Sequence, residues 1–432
     1  MSSAPPIVIV NGSVVVPGDA PQPGGVRVVE GRIADIGSEV AARDGEVVVD
    51  ARAALIAPAL VDLGVFAVDK AALHFGGTAR AALMPDQKPV LDYPARVNFI
   101  AKSGKPDLWV HPLASATVAL EGREIAEFAL MVRAGARGIA TGRRWIADSA
   151  VMLRVLQYAA MLDVAVITHA EDGFLTASAV ATAGEMATRL GLPAAPPEAE
   201  ALAVARDIAL AEMADARLHI RQVTTRAGLQ LVRQAKARGL TVTAGVTPAH
   251  FMLSDLAIVG FRTSARLSPP LRSEDDRQAV REAIADGTID VIASGHDPQG
   301  VEDKRLPFAD AAPGMAGAQT LLPMVLSLVR DGLIDLPRAF DLVAGAPARV
   351  LGVEAGVLKI GYEGDVALIH PNRPWIVPAR SSQGFAGNTP FAGQPVEGKA
   401  VALFKGGVAV MGASAQADAK ENPLVQEGQG GH

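Results

Sequence analysis

The chain has 432 residues, of which 50% are hydrophobic and 20% are charged, and this composition excludes an intrinsically disordered polymer. With 40 Lys and Arg residues against 46 Asp and Glu residues, the net charge is −6 and no basic block stands out, which argues against nucleic acid or membrane as a partner. The absence of cysteine excludes disulfides and thiolate metal sites, and the lack of a signal-peptide pattern or an apolar run of about 20 residues predicts a cytoplasmic protein.

The N-terminal part of the chain, residues 1–57, is predicted to consist of β-strands. In PIVIVNGSVVV, residues 6–16, two apolar runs flank an Asn-Gly pair, which is a strong signal for a β-hairpin. Residues 25–37 alternate apolar and polar side chains around Glu30 and Gly31, which indicates a second hairpin.

The middle of the chain, residues 58–350, alternates short β-branched runs with Ala-rich amphipathic stretches such as residues 122–136 and 227–239. This alternation predicts parallel strands covered by helices, most simply a TIM-like (β/α)8 barrel with its functional residues at the carboxyl ends of the strands. The predicted strands are residues 108–114, 137–141, 164–171, 217–224, 240–248 and 289–297. The polar or unusual residues at such ends are Gly64, Phe66, His111, Thr141, His169, Glu171, Asp172, Gln222, His250, Gly295, His296 and Asp297.

The C-terminal part of the chain, like the N-terminal part, has the sequence pattern of short β-strands. Residues 358–370 and 399–410 are predicted strands punctuated by glycines, so residues 1–57 and 351–412 are expected to form one small β-sandwich domain from both chain ends. The tail, residues 413–432, is polar and Gly-rich and is predicted to be disordered. The predicted fold class is therefore α/β.

A series of short segments resembles the class I dihydroorotases of the cyclic amidohydrolase superfamily, in family order along nearly the whole chain. APALVDLGVF (57–66) looks like the family's PGLVDLHVHLR, and VITHAEDGFL (166–175) looks like its HAED segment. LHIRQVTT (218–225) is similar to LHxxHVST, and GTIDVIASGHDPQ (287–299) is similar to GTIDxIATDHAPH. MPDQKPVLD (84–92), VTAGVTPAHFML (242–253) and RLSPPLR (266–272) also resemble family motifs. The resemblance implies an amidohydrolase barrel.

The resemblance also implies a metal-dependent reaction, because family members open or close cyclic amide rings with one or two Zn²⁺ ions. The metal forms a hydroxide and polarises the carbonyl, and an Asp after the last strand acts as the general base. Of six metal-ligand positions, His169 alone keeps its ligand. The other five are replaced by Gly64, Phe66, Thr141, Gln222 and Gly295, the last of which is also the position of the catalytic base.

Tight zinc sites need three or four ligands, so no metal, no catalytic residue and no cofactor are expected. Phe66 is expected to pack into the space of the metal. The family's substrate-binding Arg, Asn and His fall on Val68, Asp86 and Gln299, so no substrate-binding residue is expected either.

Several residues leave two interpretations open. His169 is either a remnant metal ligand or a hydrogen-bonded histidine beside Glu171 and Asp172, and His296 with Asp297 is either an acid–base pair or structural. A relocated metal site is the alternative for Asp69, His74, His111 and Asp172. The loop at Arg143, Arg144 and Trp145 is either a solvated turn with a packed Trp or an anchor for a partner protein.

These observations predict a non-catalytic dihydroorotase-like protein of pyrimidine biosynthesis that serves as a structural or regulatory subunit. By resemblance to inactive homologues, the expected partner is aspartate carbamoyltransferase, and a homo-oligomer is expected. The alternative is a metal-dependent dihydroorotase or related cyclic amidohydrolase with a degenerate site, which would require zinc. A third hypothesis is a small-molecule sensor that binds its ligand in the emptied pocket.

Overall fold

The computed structural model describes residues 5–379 and 388–412, and the backbone of 425–427. The strands are β1 (Ile7–Val14), β2 (Gln22–Val29), β3 (Arg32–Gly37), β4 (Val47–Asp50), β5 (Leu55–Pro58), β6 (Leu60–Val65), β7 (Thr78–Leu83), β8 (Trp109–Pro112), β9 (Ala114–Ser115), β10 (Ile139–Ala140), β11 (Val166–Thr168), β12 (Ala181–Thr182), β13 (Ala194–Ala195), β14 (Leu218–Ile220), β15 (Val242–Val246), β16 (Val291–Ile292), β17 (Val366–Ile376), β18 (Pro395–Lys405), β19 (Val408–Met411) and β20 (Val425–Glu427). The helices are α1 (Lys70–Phe75), α2 (Pro94–Ser103), α3 (Phe128–Arg133), α4 (Ser149–Met161), α5 (Glu185–Leu190), α6 (Glu198–Ala214), α7 (Arg226–Ala237), α8 (Pro248–Met252), α9 (Glu274–Ala285), α10 (Val301–Arg305), α11 (Leu321–Arg330), α12 (Leu336–Phe340) and α13 (Ala346–Leu351).

Strands from both ends of the chain share one sheet. Its main order is β19-β18-β17-β5-β1-β2-β3, with β4 pairing with β1 and with β20. One face of this sheet buries an apolar cluster that includes Ile9, Val26, Ile56 and Phe404. The N-terminal and C-terminal segments are therefore held together by backbone pairing.

The two predicted N-terminal hairpins have different outcomes. The hairpin at Glu30 and Gly31 is confirmed, because β2 and β3 are antiparallel and both turn residues have positive φ. The hairpin at Asn11 and Gly12 is wrong, since β1 runs through both residues and bulges there. After the bulge, Ser13 pairs with Leu55 of β5, so pairing with a distant strand overrides the local turn signal.

The middle of the chain forms parallel strands connected through helices, so the fold is α/β. The two larger parallel sheets have the orders β6-β7-β8 and β16-β15-β14-β11-β10-β9, and only Leu113 separates β8 from β9. All residues of β6 and β7 are buried, as is typical of parallel strands that are covered on both faces. The predicted strands of this region are present, although each is shorter than its apolar run.

The first and last parallel strands also touch each other. The backbone N–H of Phe66, after β6, donates to the carbonyl of His296, after β16, at 2.8 Å. The N–H of Ser294 donates to the buried carboxylate of Asp62 at 2.9 Å. These contacts bring the loops after β6 and β16 to one place, which positions the site described below.

Two further expectations concern the tail and the membrane. Residues 413–424 and 428–432 of the predicted disordered tail lie outside the described residues, while β20 within it pairs antiparallel with β4. Among the described residues, none of the helices has the length and apolar character needed to cross a membrane.

Candidate functional site

A buried arginine lies at the centre of the loops that follow the parallel strands. Arg221 follows β14 and is 5% exposed. Its Nη2 lies 3.2 Å from Nδ1 of His169, the histidine after β11. Because a guanidinium only donates, Nδ1 of His169 accepts this hydrogen bond and Nε2 carries the ring proton. The ring therefore turns its Nε2 toward Glu171, whose Oε2 lies 3.6 Å away.

The backbone of Gly64 leaves the room that Arg221 occupies. Gly64 has a φ of +110°, and a Cβ at this position would point at the Arg221 side chain, 3.6 Å from its Cδ. A larger side chain at position 64 would therefore compete with Arg221 for the same space. Gly295, after β16, has a φ of +59°, and its Cβ would lie 2.8 Å from Cγ2 of Thr247. A side chain at position 64 would be strained by the positive φ, although its Cβ would only contact Arg221, whereas a Cβ at position 295 would also clash with Thr247.

Two guanidinium groups lie near the Phe66 ring. The Cζ of Arg143 is 3.7 Å from the centre of the Phe66 ring, and the Cζ of Arg221 is 5.1 Å from it. Arg143 also pairs with both carboxylate oxygens of Asp297, and Nε2 of Gln299 donates to Asp297 Oδ1 at 2.9 Å. We call Phe66, Arg143, His169, Arg221, Gln222 and Asp297 the central site.

A buried network of charged side chains contacts the central site through Glu171. Glu171 pairs with Arg272 at 3.0 Å, and Arg272 also pairs with Glu200 of α6 at 3.3 Å. Burial acts to raise the pKa of Glu171, but the His169 ring and the Arg272 charge outweigh it and lower that pKa to about 2. Burial, and then the charge of Arg143, lower the pKa of Arg221 to about 10, so the guanidinium remains charged at neutral pH.

Two adjoining cavities open beside these groups. A small cavity of about 30 Å³ is lined by Arg221, Gln222 and other residues, and holds little more than one water molecule. A larger cavity of about 430 Å³ is lined by His169, Glu171 and Arg266 among others. Arg143 and Pro313 line both. The larger cavity has the volume of a small-molecule site.

The remaining predicted site residues have structural contacts. The hydroxyl of Thr141 accepts from the backbone N–H of His169 at 3.1 Å, and Val68 packs against the core. His296 is buried and its Nδ1 accepts from the backbone N–H of Ala318 at 3.2 Å. One oxygen of Asp86 accepts from the backbone N–H of Arg143 at 2.9 Å, while its Oδ2 is buried without a partner.

The four residues of the suggested relocated metal site have separate roles. Asp69 caps α1 and Asp172 caps the turn at residues 173–175, each with its carboxylate accepting backbone N–H groups. His111 lies 3.5 Å from Arg80, and burial followed by the Arg80 charge lowers its pKa to about 3. His74 is buried on α1, where burial lowers its pKa. In the described part of the chain, no group of three His, Asp or Glu residues could hold a metal ion.

The loop at Arg143, Arg144 and Trp145 has two exposed arginines and a half-buried Trp. Arg143 belongs to the central site, and Arg144 lines the larger cavity. The Trp145 ring stacks under the Arg206 guanidinium at 3.7 Å, and its Nε1 donates to Asp207 at 3.3 Å. The packed Trp of the first interpretation is therefore present, and the basic residues face the site.

Comparison of the sequence with known proteins identifies its family. Residues 49–228 match the family model described as Dihydro-orotase-like. A relative named Dihydroorotase from Pelotomaculum thermopropionicum is 40% identical over 403 residues, covering 89% of this chain and 93% of its own. Another Dihydroorotase, from Geobacter metallireducens, is 36% identical over 399 residues, covering 89% of this chain and 94% of its own. The chain belongs to the dihydroorotase-like family.

Solved structures with the same fold include a hydantoinase and a dihydropyrimidinase. The L-hydantoinase (dihydropyrimidinase) of Arthrobacter aurescens has a TM-score of 0.83 at 22% identity, covering 94% of this chain and 96% of its own. The dihydropyrimidinase of Brevibacillus agri has a TM-score of 0.79 at 23% identity, covering 94% of this chain and 95% of its own. At these identities the likeness shows the fold alone.

Family membership corrects the predicted function. The relatives that align over most of their length are named as dihydroorotases, which overturns the prediction of a non-catalytic subunit. That prediction rested on the replacement of five of the six metal-ligand positions. A protonated guanidinium is nevertheless buried against the one retained ligand, His169.

The residues of the central site do not fit the metal of the dihydroorotase-like family. At the His169 ring, Nδ1 accepts from Arg221, and the protonated Nε2 faces Glu171. The direction in which a side chain at position 64 would extend is filled by Arg221, and a fixed positive charge repels a cation. A metal ion would have to displace this arginine.

Arg221 is the residue that sequence reasoning missed. It lies one residue before Gln222, at a position where the family pattern has no ligand. The signal was present nonetheless, because an arginine in the run LHIRQV, at the end of a strand expected to be buried, needs either a partner or a function.

Proposed function

We propose that this chain acts as a cyclic amidohydrolase of the dihydroorotase type, opening and closing the amide C–N bond of a small anionic ring such as dihydroorotate. The proposal rests on the relatives named Dihydroorotase together with one observation of this structure. The buried, protonated guanidinium of Arg221 lines a small cavity that adjoins a cavity of about 430 Å³ at the carboxyl ends of the parallel strands. This is the place where α/β folds hold their ligands.

The arrangement can orient the ring and stabilise negative charge. A guanidinium fixed in a site of low dielectric constant stabilises the oxyanion that forms when a carbonyl carbon is attacked. Arg143 is held in position by Asp297 and Phe66 and presents a second positive charge next to the first. No step is assigned to a metal ion, because the residues present do not fit one.

The test is direct measurement of the reaction. Purified protein is incubated with dihydroorotate, or with its ring-opened ureido acid, and the two are followed by proton NMR. We expect interconversion above that of heat-denatured protein, and we expect it to persist after treatment with a chelator. Conversion no faster than in the denatured control would contradict the proposed function.

The finer architecture is part of the same proposal. We take residues 58–350 to form a closed (β/α)8 barrel, and residues 1–57 and 351–412 to form the small β-sandwich domain. The hydrogen bond from Phe66 to His296 supports closure, because it joins the loops after the first and last strands. Pairing of β5 with β17 supports the joint domain of the two chain ends.

Association with aspartate carbamoyltransferase and formation of a homo-oligomer stay predictions. Light scattering after size exclusion measures both, with the chain alone and with the transferase added. A mass equal to one chain in both runs would contradict both expectations.

A further inference from the structure

We propose that the Arg221 guanidinium takes the place of the family's metal ion, and that the central site binds the carboxylate of a small cyclic amide instead of a cation. The inference deepens the proposed function, on which its choice of ligand rests. It concerns the part of the site where the family keeps its metal, and it assigns a ligand contact there to Arg221.

Arg221 is a buried cation with three carboxylates nearby, none of which forms an ion pair with it. Asp86, Asp297 and Glu171 favour its charge from a distance. Asp297 and Glu171 pair with Arg143 and Arg272, and Asp86 accepts from the backbone N–H of Arg143 with its Oδ2 left without a partner. None of the ion pairs between described residues includes Arg221, and its Nε has no hydrogen-bond partner. A buried charge with an unpaired hydrogen-bond donor is unfavourable unless a ligand accepts from that donor. The site is therefore suited to an anion.

The side-chain amide of Gln222, next to Arg221, can contact a second group of the ligand. Gln222 is buried, and its side-chain oxygen also lacks a hydrogen-bond partner among the described residues. A cyclic amide with a carboxylate presents an acceptor for Arg221 and a ring N–H for the Gln222 oxygen. A simple inorganic anion would satisfy Arg221 and leave the Gln222 oxygen without a donor.

The two cavities have the dimensions that such a ligand requires. The small cavity at Arg221 and Gln222 admits a group of about the size of a carboxylate oxygen. The larger cavity, which shares Arg143 and Pro313 with it, has room for the ring. Arg266 lines the larger cavity, and none of the ion pairs in the described ranges includes it, so it adds a positive charge to the cavity wall.

Equilibrium dialysis with two ligands tests the carboxylate contact. L-dihydroorotate carries a carboxylate, and dihydrouracil is the same ring without it. We expect the wild-type protein to bind dihydroorotate about 10- to 100-fold more tightly, as a charge-assisted hydrogen bond in a buried site allows. The variant Arg221→Gln should lose this preference, and Arg221→Lys should keep part of it, because the charge remains but the fork of donors is lost.

Arg233→Gln is the matched control. Arg233 is an exposed arginine on α7 that pairs with Asp286, so this variant should keep the full preference for dihydroorotate. Equal binding of the two ligands by wild-type protein would overturn the inference, even if Arg221→Gln fails to fold. Unchanged preference in a folded Arg221→Gln variant, or one equivalent of tightly bound zinc in purified protein by mass spectrometry, would overturn it too.

The two proposals fail in different ways. Turnover without any preference for the carboxylate would remove the anion site and leave the proposed function standing. A preference for dihydroorotate without turnover would leave the anion site standing and contradict the proposed function.

Discussion

Single residues decide what this site can bind. Gly64 and Arg221 are coupled, because the missing side chain of one provides the space for the other. Reading the family positions one at a time predicts the losses at Gly64, Phe66 and Gln222 and assigns the vacated volume to Phe66, but it does not identify Arg221. Filling depends on which side chain from a neighbouring strand reaches that volume, and this is a property of packing that sequence order does not contain.

Asp62 is a residue whose charge is costly in the folded state. It is fully buried in β6, accepts from the N–H of Ser294 through one oxygen, and has no partner for the other. Burial raises its pKa to about 6. Below pH 6 the neutral form is therefore favoured in the folded protein, and stability that is present at low pH is lost as the pH rises from about 4 through 6.

Replacing Asp62 with Asn removes this pH-dependent cost and keeps an oxygen for Ser294. We expect Asp62→Asn to be more stable relative to wild type at pH 7.5 than at pH 4.5, by about 2 kcal/mol. Urea unfolding of both proteins at the two pH values measures the difference. The same relative stability at both pH values would show that Asp62 has an ordinary pKa in the folded protein.

At the scale of elements, one buried carboxylate connects α6 to the loop that carries the central site. Glu200 of α6 accepts from the backbone N–H groups of Thr224 and Thr225, each at 2.8 Å, and also pairs with Arg272. These threonines lie between β14 and α7, so Glu200 holds the loop that begins with Arg221 and Gln222.

Replacing Glu200 with Gln puts an amide donor next to the N–H groups of Thr224 and Thr225. It also leaves Arg272 with one carboxylate partner, Glu171. We expect a loss of about 3 kcal/mol in the free energy of unfolding, as is usual when one partner of a buried ion pair is removed. Glu198→Gln, an exposed change on the first turn of the same helix, should cost less than about 1 kcal/mol. Guanidinium unfolding compares the two variants, and similar losses would contradict the role of Glu200.

The strands and helices were predictable to the extent that their signals were local or periodic. The turn at Glu30 and Gly31 was predictable because two positive-φ residues close a hairpin between adjacent strands. Asn11 and Gly12 carry the same kind of signal, but β1 continues past them to pair with β5, more than forty residues away. Long-range pairing of this kind has no signature in a short window of sequence.

At the scale of the whole molecule, four buried histidines and Asp62 make the free energy of unfolding depend on pH in opposite directions. Burial is the first cause that lowers the pKa of His111 and His219 to about 3, and that of His250 and His296 to about 4. A histidine with a lowered pKa stabilises the folded state above its unfolded value of about 6.5, and this stability is lost as the pH falls. Asp62, with its raised pKa, has the opposite sign.

Near pH 5, unfolding should therefore take up about three protons, because the four histidines bind protons and Asp62 releases one. Stability should then fall by on the order of 4 kcal/mol for each unit of pH between about pH 6 and pH 5. Urea unfolding across that interval measures the slope, and it should be steeper for Asp62→Asn, in which the opposing proton release is gone. A flat profile would mean that these histidines are protonated in the folded chain, which the buried contact of His296 argues against, because its Nδ1 accepts from the backbone N–H of Ala318.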